Sequence, residues 1–171
     1  MFRRRRTEAN GEQSPRELYD GLRGQALEID PRRDGFEPTA ELSRVWGALL
    51  ETGYGTEVAT LLSLSDGTTS LYTTTGFVII GGGGHSQVVD ATRQFLVAIE
   101  AALDELEPET TTTLPTDGQA VIRALTFDGR RTVEAPEDDF GYDRHPLSPV
   151  FHAGQAVITE LRILTERREK N

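Results

Sequence analysis

The chain has 171 residues, a formal net charge of −10 and no cysteine. That length suits one domain able to bury roughly 70% of its unfolded surface. The missing thiols exclude thiol catalysis, iron–sulfur ligation and cysteine zinc sites, and make a cytoplasmic setting the expectation. The acidic balance argues against a nucleic-acid footprint, and no apolar run approaches the ~20 residues of a membrane-spanning helix, so neither nucleic acid nor membrane is expected as a partner.

The opening Met1-Phe2-Arg3-Arg4-Arg5-Arg6 carries the charge of an export signal without its apolar segment, and residues 1–13 read as a disordered basic tail. A single domain is expected over residues 14–171. Ser14-Pro15-Arg16-Glu17 is a capping box with proline in the first helical turn, which predicts a helix over about 15–28; with its loop, residues 14–35 read as an appendage on the main body. Leu42, Val45, Trp46, Leu49 and Leu50 then recur at helical spacing between Thr39 and Gly53, which predicts a second helix over about 40–51 with Trp46 in its core face.

Two strand-like runs, 56–65 and 68–80, flank Asp66-Gly67, a dipeptide suited to a two-residue hairpin turn that would set Leu62 opposite Leu71. An amphipathic helix over about 87–106 follows, presenting Val88, Phe95, Leu96 and Ile99 on one side. After a threonine-rich linker at 109–117 the pattern recurs: runs 119–127 and 130–135 around Asp128-Gly129, in a register pairing Arg123 with Glu134, then a helix from Ser148-Pro149 to about residue 168. The expected fold class is α+β: an antiparallel sheet of about four strands from two ββα units, helices packed mainly on one face, and additional N-terminal helices.

From Thr39 onward this element order resembles the Roadblock/LC7 and wider profilin-like topology, and that resemblance implies a role in dimeric GTPase regulation with pairing of two copies through a helix or sheet edge. The segments Gly76-Phe77-Val78-Ile79-Ile80-Gly81-Gly82-Gly83-Gly84-His85 and Arg144-His145-Pro146-Leu147-Ser148-Pro149-Val150-Phe151-His152-Ala153-Gly154 are similar to those of an uncharacterised bacterial protein family of comparable size. This second resemblance implies no reaction, cofactor or substrate.

Two places carry candidate chemistry. The first is the glycine run at the start of the 87–106 helix. Gly81–Gly84 lacks the lysine of a P-loop and the spacing of a dinucleotide fingerprint, but Gly82, Gly83, Gly84, His85 and Ser86, with Ser86 as N-cap, form a candidate anion- or ligand-binding turn. Glycines there equally serve a tight turn and close packing. The second is the set of three histidines, all beside helix starts. If both helices open toward one end of the sheet, His85, His145 and His152 meet near Asp143 and form a candidate divalent-metal site or a general base. No other cofactor is expected.

The leading functional expectation is a protein-binding or regulatory module whose partner is another protein or a second copy. The alternatives are a small enzyme or ligand- or metal-binding protein with its site at Gly81–Ser86 and His145–His152, and an acidic immunity-like protein that neutralises a basic partner.

Overall fold

The computed structural model describes residues 13–171. The expected tail therefore lies outside the described residues but for its last position. The chain forms one seven-stranded antiparallel sheet with helices on both faces. Helix α1 (Pro15–Leu27) is followed by strands β1 (Val45–Tyr54), β2 (Glu57–Leu64), β3 (Thr69–Thr73) and β4 (Val78–Ile80). Helix α2 (Ser86–Ala102), strands β5 (Glu107–Pro108), β6 (Gln119–Thr126) and β7 (Gly129–Pro136), the short helix α3 (Glu137–Gly141) and helix α4 (Ser148–Glu169) complete it. The strands lie in the order β4-β3-β2-β1-β6-β7-β5, so β1 is central and β4 and β5 are the edges.

The α+β class and the antiparallel sheet are as expected, but the strand count of about four is corrected to seven. The largest correction is the helix expected over 40–51, which is the central strand β1. Val45 to Leu50 are all buried because helices cover both faces of the sheet, so the outward-facing polar positions that would mark a period of two are missing. Thr39 does cap, its Oγ1 accepting from the Leu42 amide at 3.0 Å, yet it closes a loop and not a helix. The helix expected at Thr39 is thus replaced by a strand, while strands followed by α2, further strands and a last helix are present.

Both hairpin registers are also corrected. Leu64 and Thr68 close a three-residue loop, Ser65-Asp66-Gly67, with Gly67 in the left-handed region at φ 93°. The extra loop residue sets Leu61 opposite Leu71 and Leu62 opposite Ser70. The run 68–80 breaks in the same way at Gly76 (φ 97°), folding back as β4. In the β6–β7 hairpin the loop is Phe127-Asp128, and Arg123 faces Thr132.

Helices α2 and α4 share one face of the sheet, where Phe95, Leu96, Ile99, Val157 and Leu161 pack on Ala48, Leu50, Leu61, Leu71 and Ile122. The two helices run antiparallel: His85 at the start of α2 meets Arg168 near the end of α4, while Phe95 lies beside Gly154. Glu100 of α2 fastens the start of β1, accepting from the amides of Val45 (2.8 Å) and Arg44 (3.2 Å) and from the Ser43 hydroxyl (2.9 Å). Burial opposes its charge, but these donors and the Arg44 guanidinium outweigh it and hold the carboxyl below its usual range.

The glycine inside α4 marks the closest approach on this face. A Cβ at Gly154 would stand 2.8 Å from Leu50 Cδ2 and 3.1 Å from Phe95 Cε2. Gly154→Val is therefore expected to cost about 1–3 kcal/mol by overpacking, read as a lower urea midpoint at unchanged slope.

Helix α1 lies on the opposite face. Its capping box forms as expected, with Ser14 Oγ accepting from the Glu17 amide at 3.2 Å. Tyr19, Ala26, Leu22 and Leu27 pack over Trp46, Leu49, Leu62, Leu64, Tyr72 and Leu125. Trp46 is thus a core residue as expected, on a strand and with its ring tilted against that of Phe36 at 5.1 Å.

Candidate functional site

The glycine run is built into a contact between two turns. Gly81 takes φ 91° to leave β4, Gly82–Gly84 form one 3-10 turn, and a Cβ at Gly83 would meet the Gly67 carbonyl at 3.0 Å. The turn thus packs on the β2–β3 loop, which only residues without side chains allow. Ser86 is not the N-cap: His85 occupies that position without a capping side-chain bond, and the Ser86 hydroxyl reaches Gln87 Oε1 at 3.3 Å.

The histidines do not converge, because α2 and α4 are antiparallel and their N-termini face opposite ends of the sheet. His85 Nε2 accepts from Arg168 Nη2 at 3.0 Å in the last turns of α4. His152 Nε2 is 2.8 Å from Asp143 Oδ1, beside the first turn of α4. Sixteen residues of helix, about 24 Å at 1.5 Å per residue, separate Arg168 from His152. His145 stays near His152, but its Nδ1 accepts from the Leu147 amide (3.0 Å) and its ring packs on Phe140 at 4.6 Å. Among the described residues no group of three or more His, Asp or Glu side chains is placed to hold a metal ion. The expected metal set is therefore split, with His85 at one end of α4 and Asp143, His145 and His152 at the other.

Three features escaped the sequence. Beneath α1, Glu51 and Arg123 are almost fully buried on neighbouring strands. Arg23 reaches Glu51 in a two-pronged pair (2.7 and 3.0 Å), Arg123 bridges Glu51 (3.2 Å) to Glu109, and Arg130 also binds Glu109. Tyr19 donates to Thr60 Oγ1 (2.6 Å), which donates to Glu51 (2.9 Å). Burial alone would push the Glu51 carboxyl up, but the hydrogen bonds and charge of Arg23, the charge of Arg123 and the Thr60 hydroxyl hold it below the usual range. Burial pushes the Tyr19 and Tyr72 hydroxyls up, so both stay neutral. This network ties α1 and the 109–116 linker to the sheet, Arg23 also donating to the Thr112 carbonyl at 2.7 Å. A single residue far from its partners in sequence has no local pattern by which to reveal it.

A half-open cleft of about 420 Å³ lies between the 35–42 loop, the Ser65-Asp66-Gly67 turn and α2, floored by Leu42, Leu64, Val89 and Leu96. At its mouth Arg93 is paired with Glu41 at 2.7 Å. The cleft adjoins the glycine turn through Gly67 but contains no histidine.

An exposed apolar feature is the edge strand β4 with the residue before it, where Phe77 and Ile80 are 49% and 61% exposed. The Thr73 amide donates to the Phe77 carbonyl, and Leu71 faces Ile79, so alternation in an antiparallel ladder turns the N–H and C=O groups of Val78 and Ile80 away from β3. From Gly67 to Val89 there is no Asp, Glu, Lys or Arg, in a chain that is 27% charged. The opposite edge is protected in the ordinary way, by a two-residue strand ending in Pro108 between Glu107 and Glu109.

Fold and edge together define an α+β protein with an antiparallel sheet covered on both faces and open at one apolar strand. No family model, curated protein or solved structure matches the chain. No helix among the described residues is long and apolar enough to cross a membrane.

Proposed function

We propose that the protein is a protein-binding module that takes an extended strand of its partner onto β4. The observation that carries this reading is the uncharged open edge, with Phe77 and Ile80 in solvent and the backbone groups of Val78 and Ile80 unpaired within the sheet. Proteins usually blunt such an edge with lysine, proline or a bulge, and an unblunted edge is a template for strand addition. The residues considered for chemistry are otherwise engaged: His85 with Arg168, His145 with Leu147 and Phe140, His152 with Asp143.

Selection from a random peptide library tests the reading. Peptides bound by the wild-type chain are expected to protect the Val78 and Ile80 amides from hydrogen exchange and to lose binding to Ile80→Lys. Ligands that bind the wild type and Ile80→Lys equally, without protecting those amides, overturn it. A second reading, a small-molecule binder, rests on the cleft of about 420 Å³, a volume typical of small-ligand sites with an apolar floor. Peptide or ligand protection centred on Val89, Thr92 and Leu96 instead of β4 would favour it.

A further inference from the structure

The open edge also constrains which partner fits it, and this inference rests on the strand-addition reading above. We propose that β4 pairs with β4 of a second copy of this chain, antiparallel about a two-fold axis at Ile79, joining two sheets into one.

Charge favours a second copy at this position. Two chains of net charge −10 repel wherever their acidic surfaces meet, and the Gly67–Val89 stretch is a long region from which that repulsion is absent. The contact needs no charge complementarity because its two halves are identical and uncharged. An antiparallel edge strand is also self-complementary under two-fold symmetry.

Backbone geometry selects the register. Only Val78 and Ile80 of β4 point their N–H and C=O groups outward, so both residues of each copy are used only when Val78 of one faces Ile80 of the other. That places Ile79 opposite Ile79 as the non-hydrogen-bonded pair on the axis, with Val78 bonded to Ile80 on either side. The exposed Ile80 side chain then packs beside Val78 of the second copy, because the two occupy the same face of the extended sheet. A three-residue strand buries less than a stable interface requires, so the pairing is weak and concentration-dependent.

The absence of cysteine makes the register directly testable. Ile79→Cys is expected to form an intermolecular disulfide under mild oxidation, since residues in a central non-hydrogen-bonded pair have Cα atoms about 4.5 Å apart. Phe77→Cys, on the same face but offset across the axis by four residues or about 13 Å, is expected not to. Because Ile79 is a core residue, the wild type supplies an independent measurement. Light scattering between about 10 µM and 1 mM should show mass rising from 18.9 kDa toward twice that value, and Ile80→Lys should weaken association at least about tenfold. A wild type that remains monomeric throughout overturns self-pairing; the peptide selection then decides separately whether the edge binds other strands. Association that persists unchanged in Ile80→Lys, or cross-linking of Phe77→Cys as fast as Ile79→Cys, also overturns it.

Discussion

Glu51→Ala is expected to lower the unfolding free energy by about 3–5 kcal/mol, a large part of the ~5–15 kcal/mol that typically holds a domain folded. The reason is the charge count beneath α1. Arg23, Arg123 and Arg130 share two carboxylates, Glu51 and Glu109, so the network already carries one excess positive charge. Removing Glu51 leaves three guanidinium groups on one carboxylate, with Arg123 almost fully buried. Arg23→Met moves the balance the other way, to two against two, and keeps the stem of Arg23 over the sheet; its cost is expected to be smaller, about 1–2 kcal/mol. Urea denaturation of the two variants checks the order, and a larger loss for Arg23→Met would refute the account.

The same network implies a pH dependence. The folded Glu51 carboxyl titrates below its unfolded value of about 4.3, so its contribution is complete above that pH and is lost as the pH falls through the folded value. The stability difference between wild type and Glu51→Gln should therefore shrink below about pH 4. A difference that stays constant down to pH 2 would mean that the charge of Glu51 contributes nothing.

Gly53→Ala is the second large effect expected. Its Cβ would fall 2.0 Å from the Thr116 carbonyl oxygen and 2.9 Å from that of Pro115. Both obstacles are backbone, so no rotamer change relieves them. The linker would have to lift from β1, straining the Gly118 amide bond to the Gly53 carbonyl (3.0 Å) and the Arg23 bond to Thr112. A loss of about 3 kcal/mol or more is expected, with faster exchange of the Gly118 amide. Gly24→Ala in α1 is the matched control. Nothing lies within 4 Å of its would-be Cβ, and helix propensity favours alanine there by roughly 0.5–1 kcal/mol, so it should stabilise.

Helices α1, α2 and α4 were legible because one face of each is buried and the other solvated, which leaves a helical period in the sequence, and because Ser14 and Glu17 cap the first. The hairpin positions were legible from Asp66-Gly67 and Asp128-Gly129. Their registers were not: the first loop has three residues, and the second has two but sits one position earlier, at Phe127-Asp128 with Gly129 opening β7, and these one-residue differences decide whether Leu71 faces Leu61 or Leu62 and whether Arg123 faces Thr132 or Glu134. Gly76, inside the strand-like run 68–80, carried the signal for the extra strand β4, but a glycine within a strand pattern also fits a bulge.

Of the candidate sites, the sequence located the glycine turn and showed that no phosphate-binding loop or thiol chemistry accompanies it, since those depend on residue type and local spacing alone. It also contained the uncharged stretch from Gly67 to Val89. The tertiary structure decided the rest. The period of Leu42 to Leu50 fits a helix as well as a strand covered on both faces, and only the neighbouring β2 and β6 select the strand. Whether three histidines meet depends on the relative direction of α2 and α4, which no local pattern encodes. Glu51 reads as an ordinary surface carboxylate until Arg23 and Arg123, 28 residues before it and 72 after it, are brought to it by the fold. Local sequence sets local geometry, while burial, partners and free edges are properties of the packed chain.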